Sequence, residues 1–299
     1  MNKINKTPAG WMRQSVVIAI LLAVPVIESE AQTYSLSARN TSLQIDASGG
    51  TPGISDWIVN NVNQLDQQWF YYSVNSSPVE SIDNLGSWTF GSQNGGNSPS
   101  LTGTYTDSGV LSAQTIYTLT SKPPGSGTAT LGTVITLQNL SGSSEVVQLY
   151  QYSDFWLGGV SGGQNVQFTP SSPSYLVTQT GLSGGPLVGT LSATSQGTNA
   201  IVEEAASLYN GGSQLSGIES GTPVPLFNDS VLSAGSGNVT YAYEFEATVA
   251  PGQTLSISEI QTVPEPSSLA LIGSGIVILG MFYLGRLTFN EKMKGKASH

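Results

Sequence analysis

Carboxylates are the main candidates for acid-base chemistry in this 299-residue sequence, because it has no cysteine and its one histidine is the last residue, His299. That pattern excludes a disulfide framework, a thiolate metal site, a cysteine nucleophile and a Ser-His-Asp arrangement in the body of the chain. Two acidic pairs could serve a glycosidase, Glu203 with Glu204 and Glu244 with Glu246. Consecutive strand residues point to opposite faces, so the first pair diverges; the second shares a face at a spacing of about 7 Å. Acidic residues on the outer face of a strand ordinarily serve solubility and edge protection, so no catalytic residue is assigned. No Asp-x-Asp-x-Asp-Gly loop occurs, and neither a metal ligand nor a cofactor is assigned. Two aromatic clusters, Trp69-Phe70-Tyr71-Tyr72 and Tyr150, Tyr152, Phe155 and Trp156, offer rings on which sugars stack. Trp69, Tyr71, Tyr150 and Trp156 are the candidate glycan contacts, against the competing role of alternating aromatics in a core.

The elements that must position these side chains read as strands. In Val239–Val249, Val239, Tyr241, Tyr243, Phe245, Ala247 and Val249 fall on one face, with Thr240, Glu244, Glu246 and Thr248 on the other. Period two marks a half-buried strand, and Ala250-Pro-Gly-Gln253 then predicts a hairpin into Leu255-Ser-Ile-Ser. Thr128 to Leu140 alternates in the same way, and Ser141-Gly-Ser-Ser144 predicts a second hairpin into Glu145–Phe155. Further strands are expected near Tyr34 to Ile45, Trp69 to Val74, Leu101 to Thr106, Val110 to Thr120, Tyr175 to Thr180 and Leu187 to Thr194. Residues 54–65 read as a short helix in one alternative, 206–222 as a long loop, and 261–268 as a linker. The expected fold is all-β, an antiparallel β-sandwich over residues 32–262.

Charge separates this body from the chain's two ends. The whole chain is only 9% charged with a net charge of -10. Residues 32–262 hold fifteen acidic residues and two basic ones, Arg39 and Lys122, a net of -13. A basic nucleic-acid footprint is absent, and nucleic acid is excluded as a partner. At the N-terminus Lys3, Lys6 and Arg13 precede the apolar run Ser15 to Ile27, and Ser29 and Ala31 set small residues before a cut between Ala31 and Gln32. Residues 1–31 therefore read as a secretory signal peptide, with the Sec translocon and signal peptidase as partners. Near the C-terminus Pro264-Glu265-Pro266 precedes the apolar run Leu269 to Gly285, then Arg286 and Lys292, Lys294 and Lys296. This reads as a single transmembrane helix over 268–286 with a basic cytoplasmic tail at 287–299 and the body outside the inner membrane. The two prolines hold Val263 and Glu265 in extended conformations, which presents the Glu265 carboxylate just outside the bilayer.

Triplet, span and basic end in that order resemble the PEP-CTERM sorting domain, here over residues 263–287, and Val263-Pro-Glu-Pro-Ser-Ser-Leu-Ala-Leu-Ile-Gly-Ser-Gly275 followed by Arg286 is typical of it. The resemblance implies an exosortase substrate from a Gram-negative bacterium that makes extracellular polysaccharide. Pro264, Glu265, Pro266 and Arg286 carry the sorting function by that resemblance. Arg286 stands alone here, where the family has a tight arginine-rich cluster close to its end. Gln67–Val74 and Leu149–Phe155 are similar to segments of uncharacterised PEP-CTERM passengers. The expected function is that of an exported, non-enzymatic cell-surface or extracellular-matrix protein, transiently anchored and linked to an exopolysaccharide or biofilm envelope. The alternative is a carbohydrate-binding module or a carboxylate-only glycosidase at the cell surface.

Overall fold

The computed structural model describes residues 32–264, apart from 48–51, 94–97, 107–108, 124–127, 172–173, 182–186, 196–200, 209–217 and 219–232. The strands in chain order begin with β1 (Thr33–Ala38), β2 (Thr41–Asp46), β3 (Gly53–Val59), β4 (Val62–Asn63), β5 (Leu65–Val74) and β6 (Glu80–Ser81). Next come β7 (Ser87–Gln93), β8 (Ser100–Thr106), β9 (Leu111–Ser121), β10 (Thr128–Asn139), β11 (Glu145–Phe155) and β12 (Gln164–Ser171). The last are β13 (Ser174–Thr180), β14 (Leu187–Ser195), β15 (Ile201–Leu208), β16 (Ser233–Gly237), β17 (Val239–Val249) and β18 (Thr254–Pro264). One sheet has the order β1-β2-β3-β5-β11-β17-β15, with β4 beside β3 and β6 beside β5. The other runs β16-β12-β13-β14-β18-β10-β9-β8-β7. Neighbouring strands are antiparallel throughout both sheets. The sheets pack face to face, as an all-β sandwich requires.

Alternation builds the core. In β10 buried and half-buried residues alternate without a break, placing Leu131, Ile135 and Leu137 inside and a row of threonines outside. Aromatic rings join the sheets: Phe168 of β12 meets Tyr241 and Tyr243 of β17 edge-on at centroid distances of 5.9 and 5.6 Å, and Trp69 of β5 meets Tyr105 of β8 at 6.2 Å. Strands β11 and β17 are buried on both faces along most of their length, which their sequence alternation does not show.

Both expected hairpins are instead crossings between the sheets. Strand β10 lies in one sheet and β11 in the other, and β17 and β18 divide in the same way. Gly, Ser and Pro turns suit either geometry; a single side chain, Asn139, selects the crossing. Fully buried, its amide donates to the carbonyls of Ser143 at 2.7 Å and Val249 at 2.8 Å and accepts from the Ser141 amide at 2.8 Å. Its backbone pairs with Gln253 and Gly252 of the other crossing, where Gly252 takes φ 73°. Nor is 54–65 a helix. Asn60 and Asn61 take φ of 52° and 64°, the conformation of a two-residue β-turn, and Trp57 and Val59 alternate into the core. Residues 206–208, read as loop, complete β15, and 261–264, read as linker, complete β18.

The interior also holds an acid. In β18 the inward row is Leu255, Ile257, Glu259, Gln261 and Val263, while Ile260 points out at 53% exposure. Glu259 is 2% exposed and accepts from Gln68 of β5 at 3.2 Å, from Gln261 at 3.0 Å and from Gln151 of β11. Burial pushes its carboxyl up to about 7, and the three glutamine donors pull against that rise. Below the ordinary value of 4.5 both folded and unfolded chains hold this proton, and between 4.5 and about 7 only the folded chain does. The stability it contributes is therefore full at low pH and lost as pH rises through about 7.

Two outcomes follow for the full chain. Asn139→Ala leaves buried carbonyls without donors and is expected to lower stability by about 2–4 kcal/mol, read as a lower denaturant midpoint at unchanged slope. The melting temperature falls between about pH 4.5 and pH 7, and Glu259→Gln flattens that fall; a thermal-melt series on both proteins checks it.

Candidate functional site

The sorting triplet starts where the sheet stops. Pro264 is the last residue of β18, opposite Thr128 of β10, and Val263 just before it is 1% exposed. A proline suits this terminal position because the ladder no longer needs its missing N–H. Glu265, Pro266 and Arg286 lie outside the described residues, as do Ala31 and both apolar runs. Gln32 is described and exposed, and its carbonyl accepts from the Ala47 amide at 2.9 Å. Among the described residues no helix is long and apolar enough to cross a membrane.

Of the candidate glycan contacts, Trp69, Tyr71 and Tyr150 are 0%, 3% and 1% exposed. Trp69 donates to the Ser81 hydroxyl at 2.7 Å, and Tyr150 donates to Glu244 at 3.2 Å. These three rings are engaged in packing and do not present a face to solvent. Trp156, just beyond β11, is half-buried.

The two acidic pairs differ in register, as strand geometry requires. Glu203 stands opposite Glu244 across the ladder and Glu204 opposite Tyr243, so the consecutive pair alternates in register. Glu244 and Glu246 share a face, and the Gln148 amide bridges them at 3.0 and 3.1 Å. Glu244 is 4% exposed, so the outward face of β17 is covered where solvent was expected.

Glu259 and Asp154 are the most deeply buried carboxylates among the described residues, and the sequence reading gave neither a role. Glu259 sits on a row with Leu255, Ile257 and Val263, and that period-two placement was the available signal. Asp154 had none, because the face opposite the main core is buried along β11 as well. It is 2% exposed, stands opposite Gln67 of β5 and Thr240 of β17, and accepts from the Asn238 amide at 3.3 Å. Burial pushes its carboxyl up to about 6; Asn238 opposes that rise, nearby Asp66 adds to it, and Trp156 opposes it. A cavity of about 210 Å³ is lined by Ile54, Ser55, Asp66 and Gln67, the last of which stands opposite Asp154. Among the described residues no three acidic or histidine side chains gather as a metal site would require.

No curated protein matches the chain. Its fold is similar to part of a bacterial glucoamylase solved in complex with acarbose, at a TM-score of 0.51 and 11% identity over 77% of this chain and 32% of that one. The chain thus spans about a third of that protein, and the likeness is one of fold alone. Heparinase III aligns over 80% of this chain and 36% of its own, at 8% identity and a TM-score of 0.45. Residues 262–286 match the PEP-CTERM protein-sorting motif. Its first residues, Thr262, Val263 and Pro264, are the end of β18. The chain therefore carries a PEP-CTERM sorting motif fused directly to a β-sandwich, and that motif implies export, a membrane-anchored sorting signal and exosortase as processing partner.

Proposed function

We propose that this chain is a non-enzymatic cell-surface or extracellular-matrix protein, released from its C-terminal anchor by exosortase and acting in an exopolysaccharide or biofilm envelope. One observation carries the reading: the sorting motif begins inside the last core strand, so the whole sandwich lies on one side of the triplet. A cut at or after Glu265 removes the apolar run and basic tail and leaves every strand of the described residues in place. The signal peptide, the spanning helix over 268–286 and the tail at 287–299 belong to this reading. The body's charge of -13 favours solubility once the anchor is gone. Trp69, Tyr71 and Tyr150 are committed to packing, which favours a structural role for these clusters over an open sugar-stacking platform.

Mass spectrometry of envelope and medium fractions tests the processing. The mature chain is expected to begin at Gln32, to end close to the triplet, and to melt at the same temperature as the precursor; Glu265→Ala is expected to retain the tail. A mature chain that keeps Leu269 to His299 in cells with active exosortase overturns the proposal.

A further inference from the structure

Charge is divided unevenly between the two sheets. The first carries Asp or Glu on β2, β3, β5, β6, β11, β15 and β17. The nine strands of the second carry one such residue, the inward Glu259, and neither Lys nor Arg. Outward positions of β7, β8, β9, β10 and β18 are instead Ser, Thr, Gln, Gly, Val and Ile as far as Pro264. A body with a net charge of -13 thus keeps one whole face neutral.

The same face gathers exposed aliphatic side chains. Five large ones are strongly exposed among the described residues, and four of them, Val110, Leu140, Val188 and Ile260, alternate with buried inward neighbours of this sheet. Val188 of β14 stands opposite Thr262, Ile260 stands opposite Gly132, and Val134, the next outward residue of β10, stands opposite Ile116 of β9. Val188, Ile260, Val134 and Ile116 form a diagonal band across four strands, within cross-strand reach of one another. Val110 and Leu140, joined by a backbone hydrogen bond of 2.9 Å, close one end of the face. Hydroxyls around the band are already paired in part, Thr130 with Thr262 at 3.2 Å and Thr136 with Ser256 at 3.0 Å. Covering them therefore leaves fewer groups unmet. An apolar centre inside a neutral rim is the anatomy of a protein interface.

Charge, shape and area select a second copy of this chain as the occupant. A basic partner is drawn to the acidic first sheet, and an acidic one finds no base on the second. Two copies that meet through their neutral faces hold their acidic sheets on opposite outer sides of the pair. Exposed Ile260 stands beside Gly132, where an added Cβ would meet nothing closer than Thr118 at 3.8 Å. A projection next to an open slot is self-complementary about a two-fold axis. Six adjacent strands about 4.8 Å apart, with rows of up to eleven residues at about 3.3 Å each, span roughly 800 Å². A stable interface takes about 800 Å² from each partner.

We propose that the outward face of β14-β18-β10-β9-β8-β7 is the interface of a symmetric homodimer. The pairing needs neither exosortase nor a polysaccharide, so it stands apart from the envelope reading.

Analytical ultracentrifugation of the full chain in a neutral detergent, over a wide range of concentration, reads the pairing. A monomer-dimer equilibrium is expected. Val134→Asp combined with Ile260→Asp sets like charges across the contact and is expected to raise the dissociation constant about a hundredfold at an unchanged melting temperature. Ser37→Asp, at an exposed position of β1 in the first sheet, is expected to leave it unchanged. Because the chain has no cysteine, Thr136→Cys and Ser37→Cys each add a single thiol. A maleimide is expected to label the first more slowly above the dissociation constant than below it, and the second at one rate throughout. Labelling needs no disruptive substitution, so an unfolded Asp variant leaves the test intact. A monomer at every concentration overturns the proposal, as does a dimer that the folded Asp variant retains, or a Thr136→Cys thiol labelled at one rate at every concentration.

Discussion

The backbone pairing of β18 is the constraint on which this molecule rests. On one side it pairs with β10 from Thr254 to Pro264, and on the other with β14 from Leu255 to Thr262. Remove it and the second sheet falls into two pieces, β16-β12-β13-β14 and β10-β9-β8-β7, with nothing between them. Yet it is the last strand made. The sandwich is complete only after the residues immediately before the sorting triplet have emerged, which ties completion of the fold to arrival of the address. Contacts such as Gln68 with Glu259, 191 residues apart, close late and at the entropic cost of a long loop.

That strand also carries the least expected interior group. A carboxylate buried without a cation is expensive, and the body has only Arg39 and Lys122 to offer, neither among the groups bonded to Glu259. Three glutamine amides stand in, contributed by β5, β11 and β18 itself, so the network ties the two sheets together. Their carbonyl oxygens have no partners among the described residues, which leaves acceptors beside Glu259 for the proton it retains near neutrality. The network holds the sheets in register and costs stability as its proton leaves.

Much of this was legible in advance, for physical reasons. Period-two alternation located β10 because it reports burial on one face directly, and it located β17 although most of that strand's other face is buried too. The sorting motif was visible because the proline-flanked Glu265, the apolar run and Arg286 stand in a fixed order. Less visible was which sheet each strand joins. The turn residues at 141–144 and 250–253 are compatible with a hairpin or a crossing, and the choice rests on Asn139, which joins its own turn to Val249, 110 residues away. The apparent helix at 54–65 failed because two asparagines take positive φ. Residues 261–264 looked like linker because of their proximity to the prolines, although Gln261 and Val263 continue the inward row of β18. Asp154 was hidden because β11 is buried on both faces around it, so its burial leaves no mark in the sequence.

The central claim is that folded structure runs without a spacer into the sorting triplet, and amide hydrogen exchange on the full chain reads it directly. The account predicts that the amides of Thr262 and Val263 exchange as slowly as that of Ile257 in the middle of the same strand. Exchange at those two positions as fast as in an unstructured chain, with Ile257 still protected, would contradict it.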